Sequence, residues 1–407
     1  MIGSTCLYLG HMPNGGIDFI TLMKKRLLFI IDSLNCGGAE KSLISLLPLL
    51  DYVHLDVNLL IFRRGGVFEK YLPQQVHVIN HDLYRKGFID QLYHGIHQLR
   101  FSYNLRYGKK RHGAETHWRS MHKSVKPLDG KYDVAVSYQQ GMPTFFLATM
   151  VDATQKIAWV NADVFAAGYN MNYCKQFYDK MDNVVAVSEK LSDKLSQNAP
   201  WLKGKLHCIY DIINPDIVHR LAQESVNDMP IKTGDMSIVT VGRLTRPKNH
   251  LLAIETARVL IDKGMAFKWF FVGEGEMRPT IEERIKEMGL GQNVFLLGLK
   301  ENPYPYMFNA DIYVQTSTFE GFGMTIAEAK ILHCPIVSTN FDIVHDQISD
   351  HQNGMIAEMT PESVASKILE LLQNEELRRH IVSNLEQEPN TTSITEVEKF
   401  HALIGNE

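Results

Sequence analysis

The sequence predicts an α/β protein of two Rossmann-like, doubly wound domains facing one another across a cleft. Three observations carry this. Short β-branched apolar runs alternate with amphipathic helical stretches from Leu27 onward, the alternation fades over Asn227 to Asp235 and restarts at Ser237, and glycine-rich loops recur where a strand ends and a helix begins. Strands alternating with helices build parallel sheets with right-handed crossovers. At 407 residues, 45% of them hydrophobic, the chain is long enough for two cores.

Taken in order, Met1 to Leu22 has no basic stretch leading into an apolar one, so it does not read as a signal peptide and carries no assigned role. Met23-Lys24-Lys25-Arg26 then leads into a strand from Leu27 to Asp32, which has the look of a natural beginning; a start at Met23 and an ordered extension packed on the surface both stand. A loop containing Gly37 and Gly38 precedes a helix from Ala39 to about Leu49. It suits close approach of a phosphate or sugar to the helix start, or a plain turn. Further strands are expected at Asp56 to Phe62, Val76 to Asn80, Asp133 to Ser137, Ile157 to Val160, Val184 to Ser188 and Leu206 to Tyr210. The first domain should span 23–215 and the second 216–387, with strands at Ser237 to Gly242, Trp269 to Val272, Val294 to Leu297, Ile312 to Gln315 and Ile336 to Thr339. In the tail, 388–407, a short helix at Ile394 to Leu403 is in position to pack back onto the first domain.

Composition narrows the function classes. A formal net charge of −4 argues against a general nucleic-acid binder. Five cysteines with no C-x-x-C pair suit reduced thiols in a cytoplasmic protein. No run of about 18 apolar residues occurs, so nothing in the sequence spans a membrane. Within 84–126, however, the alternation breaks and ten basic residues, Arg85, Lys86, Arg100, Arg106, Lys109, Lys110, Arg111, Arg119, Lys123 and Lys126, face only Asp90 and Glu115. Tyr93, Phe101, Tyr103, Tyr107 and Trp118 are interleaved with them. Such an insertion suits peripheral contact with an anionic membrane surface, at roughly 1 kcal/mol per basic residue. An ordinary solvated helical insertion accounts for it equally well.

The chemistry concentrates around Phe319-Glu320-Gly321-Phe322-Gly323-Met324-Thr325-Ile326-Ala327-Glu328, between the strand ending at Gln315 and a helix over Met324 to Leu332. Ligands of parallel sheets sit outside the carboxyl ends of strands, where a helix start offers unpaired N–H groups to an anion. Gly321 and Gly323 leave backbone amides accessible, Phe322 and Met324 complete that stretch, and Glu320 and Glu328 are candidate acceptors for hydroxyls. Arg243 and Lys248 follow the first strand of the second domain and suit neutralisation of a diphosphate, or ordinary surface charge. No Asp-x-Asp triplet and no His and carboxylate set with ligand spacing occurs, so no metal and no cofactor is expected.

Gly-Gly-Ala-Glu-Lys at 37–41, Gly-Arg-Leu then Lys at 242–248, Val-Gly-Glu-Gly at 272–275, Asn-Pro-Tyr-Pro-Tyr-Met at 302–307 and the Glu320 to Glu328 stretch together resemble glycosyltransferase family 4. The resemblance covers about Met23 to Leu372. It implies a GT-B fold and metal-independent, retaining transfer of a hexose-type sugar from a UDP- or GDP-sugar to a saccharide or lipid-linked acceptor in surface polysaccharide synthesis. It also implies Arg243 and Lys248 at the diphosphate, Glu328 at the ribose, Glu320 at the donor sugar, and Gly321 to Met324 as amides around phosphate and sugar. Gly37 and Gly38 match the glycine loop of the amino-terminal domain, and Gly298 lies near the base. One departure stands out. Related bacterial enzymes often read Trp-x-His-x-Asp where this chain has Trp159-Val160-Asn161-Ala162-Asp163. Asn can bind a hydroxyl but cannot exchange a proton near neutral pH. Asn161 and Asp163 are therefore acceptor-side candidates without a proton relay, Asp163 suiting a cap as well as a hydroxyl contact. A catalytically silent, sugar-nucleotide-binding partner of another transferase is the alternative.

Overall fold

A computed structural model describes residues 7–11, 17–21, 24–35, 37–85, 95–103, 112–229, 235–388 and 391–405. The chain divides into two compact units, Met1–Ile212 with Thr395–Glu407, and Ile213–Ile394. In the first unit, β1 (Leu7–His11) and β2 (Ile17–Thr21) pair antiparallel, a hairpin to which the sequence reading gave no element.

The strands of the first sheet are β3 (Lys25–Ser33), β4 (Leu55–Arg63), β5 (His77–Ile79), β6 (Lys131–Ser137), β7 (Asp152–Val160), β8 (Asn183–Ala186) and β9 (Leu206–Cys208). Among the described residues they lie in the order β5-β4-β3-β6-β7-β8-β9, all parallel. Leu27 to Ile31 are fully buried, which is why β3 reads as an unbroken apolar run: helices cover both faces of a parallel sheet. β7 starts five residues earlier than its apolar run, because Asp152 to Lys156 pair with β6 while keeping partly exposed side chains.

Around this sheet stand α1 (Gly38–Leu46), a helical stretch 95–103 designated α2, α3 (Gly113–Met121), α4 (Met142–Met150), α5 (Met171–Tyr178) and α6 (Glu189–Asn198). Much of the basic insertion, 86–94 and 104–111, lies outside the described residues. Two of its members make contacts within the domain. Trp118 is buried against Phe145 and Phe177, because α3 turns it into the core, and Arg119 lies over the Tyr173 ring while pairing with the fully buried Glu115 at 2.9 Å. The structure removes Trp118 from any membrane-facing set, while Arg119 stays partly exposed with its charge engaged by Glu115.

The second unit opens with α7 (Pro215–Ala222), whose first turn is capped by the Asn214 side chain accepting from Asp216 and Ile217. Its strands are β10 (Met236–Val241), β11 (Phe267–Val272), β12 (Val294–Gly298), β13 (Ile312–Gln315), β14 (Ile336–Thr339) and β15 (Met355–Ala357). They run parallel in the order β12-β11-β10-β13-β14-β15. β15 is three residues long, too short to leave a periodic signal. Helices α8 (His250–Asp262), α9 (Arg278–Glu287), α10 (Tyr304–Phe308), α11 (Met324–Ile331), α12 (Pro361–Gln373) and α13 (Glu375–Gln387) complete the unit.

The last helix, α14 (Thr391–Leu403), starts in the second unit and ends in the first. Phe400 is fully buried, stacked on Phe29 at 5.8 Å and tilted against Trp159 at 6.0 Å. Glu396 accepts from the Tyr210 amide at 2.8 Å, and Gln155 donates to the Leu403 carbonyl at 3.0 Å. Cys174, Cys208 and Cys334 are free, with burial pushing each thiol up to about 12; Cys6 and Cys36 are outside the described residues. No helix among the described residues is long and apolar enough to cross a membrane.

Candidate active site

In the second sheet the chain winds outward from β10 through β11 to β12, then returns to place β13 on the other side of β10. That reversal is the switch point where doubly wound sheets hold ligands, beyond the strands' carboxyl ends. The loop after β10 carries Gly242 to Lys248, and the loop after β13 carries Thr316 to Gly323. They are bonded together: Thr318 donates its amide to the Pro247 carbonyl at 2.8 Å, and the Thr316 hydroxyl donates to the Lys248 carbonyl at 3.1 Å.

This geometry brings Lys248 and Glu320 into direct contact. The ammonium of Lys248 donates to Oε1 of Glu320 at 2.6 Å, and both side chains are largely buried. The same oxygen accepts from Ser317 Oγ at 2.6 Å and Gln315 Nε2 at 3.0 Å. Gln315 is itself fixed, its carbonyl accepting from Tyr313 at 2.6 Å and from Thr325 at 2.8 Å. Three donors thus set the carboxylate's orientation through a chain reaching into the strand and the first turn of α11. The sequence reading did not single out Gln315 and Ser317; their signal was polarity at the buried end of an apolar strand.

Gly323 adopts φ +83° as the residue capping α11, a conformation that disfavours any side chain, and Gln347 reaches in to bond the Phe322 and Gly323 carbonyls. Gly321, Phe322 and Met324 are partly exposed around it. Glu328, one turn into α11, is fully buried and accepts from the Tyr304 hydroxyl at 3.0 Å. Arg243 is exposed, and its side chain makes no ion pair among the described residues. His250 follows this loop; burial, reinforced by the Lys248 charge, pushes its pKa down to about 4, so it is neutral at ordinary pH.

The Val-Gly-Glu-Gly motif has a packing reason. A Cβ on Gly273 would stand 1.9 Å from the Gly242 carbonyl oxygen, and one on Gly275 would stand 2.3 Å from that of Leu244, so these glycines let two backbone loops touch. Gly298 ends β12, where the space a Cβ would take is 3.3 Å from Glu274.

In the first sheet the reversal falls between β3 and β6. Gly37 and Gly38 sit there, the Glu40 carboxylate folding back over Gly37. Asn161 follows β7, its amide donating to Gln140 at 3.0 Å. Both oxygens of Asp163 are engaged within the domain: Oδ1 caps Phe165 and Ala166, and Oδ2 pairs with Lys194. Burial alone would raise its pKa, but Lys194 and the two amides outweigh it and hold the carboxyl below its usual range.

Beside Asn161 stands a group the sequence reading missed, Asp211. Burial pushes it from 3.8 up to about 7, against the pull of Ser42 and Asn161 and with help from the Glu40 charge. Because the folded value lies above the unfolded one, the stability tied to this proton is intact below about pH 4 and lost as pH rises through about 7. Asp211→Asn, neutral throughout, should raise the melting temperature on the order of several degrees at pH 8 and scarcely at all at pH 4. Equal shifts at both pH values in a thermal melt would count against it.

The two sheets and the switch-point loops define an α/β protein of the GT-B fold. Residues 222–388 match the family model described as Glycosyl transferases group 1, in keeping with the resemblance to family 4. The chain is similar, at 26% identity over 365 residues covering 88% of this chain and 92% of the relative, to the N-acetylgalactosamine-N,N'-diacetylbacillosaminyl-diphospho-undecaprenol 4-alpha-N-acetylgalactosaminyltransferase of Campylobacter jejuni. A second Campylobacter jejuni relative, the GalNAc-alpha-(1->4)-GalNAc-alpha-(1->3)-diNAcBac-PP-undecaprenol alpha-1,4-N-acetyl-D-galactosaminyltransferase, is 26% identical over 93% of this chain and 98% of its own length. Among solved structures, Anabaena Alr3699/HepE in complex with UDP-glucose shares the fold with a TM-score of 0.68 at 16% identity, over 94% of this chain and 100% of that one.

Proposed function

We propose that this chain moves a hexose-type sugar from a UDP- or GDP-sugar to a saccharide or lipid-linked acceptor during surface polysaccharide assembly, with retention of configuration and without a metal ion. The observation that carries the reading is the Lys248–Glu320 contact at the β10/β13 switch point, where a cation for the diphosphate and an acceptor for sugar hydroxyls share one hydrogen bond. Leaving-group charge is met by Lys248, by the exposed Arg243 and by the amides of Gly321 to Met324 at the start of α11. Glu328 takes the ribose, Glu320 the sugar, Gly298 lies near the base, and Gly37 and Gly38 serve the amino-terminal domain. A lipid-linked acceptor is supported by the two Campylobacter jejuni relatives, whose names place their substrates on undecaprenol diphosphate carriers.

Incubation with a panel of UDP- and GDP-sugars, with and without EDTA, tests the reading. Nucleotide release that persists in EDTA is expected; no binding and no release with any donor would overturn it, and tight binding without turnover on any acceptor would favour the silent partner.

Peripheral membrane contact belongs to the same proposal. α2 turns His97 toward Ser124 at 2.9 Å and Phe101 toward His117 at 5.1 Å, while Ile96, Leu99 and Tyr103 are 51%, 74% and 64% exposed with Arg100 between them. An exposed apolar stripe holding a basic residue suits an anionic interface. Ile96→Asp with Leu99→Asp should lower co-sedimentation with phosphatidylglycerol vesicles several-fold and leave nucleotide binding unchanged; undiminished co-sedimentation would remove α2 from the contact.

A further inference from the structure

The loop after β14 sends one side chain to the donor loop that follows β13, and the chemistry given above assigns it no part. Gln347 stands at the end of a single helical turn, Val344–Asp346, and is nearly buried. Its side-chain nitrogen donates to the Phe322 carbonyl, with the Gly323 carbonyl at 3.4 Å. Only that nitrogen can serve two carbonyls, so the orientation of the Gln347 amide is settled by its partners. A Cβ on Gly323 would stand 3.1 Å from the same nitrogen, so a glycine is what lets Gln347 come this close.

Peptide geometry carries this contact to the opposite side of the loop. In a trans peptide the C=O and the following N–H point in opposite directions. Holding the Phe322 carbonyl toward Gln347 therefore turns the Gly323 N–H away from it. The Gly323 carbonyl is committed to α11, accepting from the Ile326 amide at 2.8 Å and the Ala327 amide at 3.3 Å, which directs the Met324 N–H out of the helix start. Of the two peptides that flank Gly323, the helix fixes one and Gln347 braces the other.

Gln347 is itself held from behind. Its backbone carbonyl accepts from Lys330 Nζ at 2.9 Å and from Asn353 Nδ2 at 3.3 Å. Both donors also bond the Glu388 carboxylate, Lys330 as an ion pair and Asn353 at 3.2 Å. Lys330 lies in the last turn of α11, so the loop after β14 grips that helix at its start and at its end.

We propose that Gln347 is a positioning residue for the nucleotide sugar, aiming the Gly323 N–H at the donor's diphosphate. The proposal rests on the glycosyltransferase reading, in which the amides of Gly321 to Met324 meet the leaving-group charge. Gln347 acts through Gly323 and not by touching the ligand. Without the brace, the Phe322–Gly323 peptide is free to rotate, because glycine sets little barrier to its own φ. The rotated peptide presents a carbonyl oxygen to the phosphates in place of an N–H, and repulsion replaces a charge-assisted hydrogen bond.

The full chain and its Gln347→Met and Gln347→Glu variants are titrated with UDP and GDP, and with the matching nucleosides, uridine and guanosine. Methionine keeps the length of the side chain and removes the donor, whereas a glutamate carboxylate opposes the two carbonyls. Affinity for whichever diphosphate the wild type binds should fall about tenfold in Gln347→Met and further in Gln347→Glu, while affinity for its nucleoside stays within twofold. Diphosphate affinity held within twofold in both variants overturns the role. An equal loss for the nucleoside also overturns it, since Gln347 would then hold the domain together and aim nothing at the phosphates. A wild-type chain that binds neither diphosphate overturns the glycosyltransferase reading, and this role with it.

Discussion

Replacing Lys248 by Ala should reduce turnover of the nucleotide sugar by roughly 10²- to 10³-fold, the range measured when one fixed donor to developing charge is removed. Glu320→Ala should fall in the same range, and the double variant should lose far less than the product of the two. The reason is the 2.6 Å hydrogen bond between them: each holds the other, so either substitution disables the unit. Stability should separate the pair. Removing Lys248 leaves Glu320 its bonds from Gln315 and Ser317, whereas removing Glu320 strands a largely buried ammonium. Glu320→Ala is therefore expected to be the more destabilising, by about 1–2 kcal/mol, in denaturant titrations. Initial rates of nucleotide release across the four forms complete the cycle. Single variants that stay within tenfold of wild type, or strictly multiplicative losses, would dismiss this contact as the working unit.

Phe400→Ala should destabilise the first domain by about 3–5 kcal/mol, the usual cost of emptying a fully buried aromatic site. Phe400 fills a slot walled by Phe29 and Trp159, both fully buried, so few neighbours can relax into the space. Thermal and denaturant midpoints followed by tryptophan fluorescence should fall accordingly. A conservative Phe400→Leu change should recover most of the loss, since it restores apolar volume without the ring. A loss below about 1 kcal/mol for the alanine variant would mean that the tail helix contributes little to this core.

The sheets were legible in the sequence because parallel strands are buried on both faces and print continuous apolar runs; the strands at Ile312–Gln315 and Ile336–Thr339 fall where those runs do. Length limited the reading elsewhere. β15 is too short to repeat, and the polar first half of β7 carries no apolar signal. Lys248 and Glu320 could be named separately, yet their contact could not, since 72 positions separate them and only the order β10-β13 joins their loops. Asp211 was invisible for a different reason. A single carboxylate near a strand end says nothing of its burial, and its neighbours Ser42, Tyr138 and Asn161 come from three distant segments. Trp118 shows the reverse error: local sequence placed it among basic surface residues, while the helix phase of α3 put it in the core.

The course of the chain through α14 also bears on how the protein is made. The second unit is one uninterrupted segment, 213–394, whereas the first is assembled from both ends of the chain. Synthesis delivers residues from the amino terminus, and domains tend to fold as they emerge. Here the earlier domain must wait with the slot beside Phe29 and Trp159 open while the later one is completed. The part of α14 from Thr395 to Leu403 then supplies the plug, so the domain begun first is completed only after the second unit has been made.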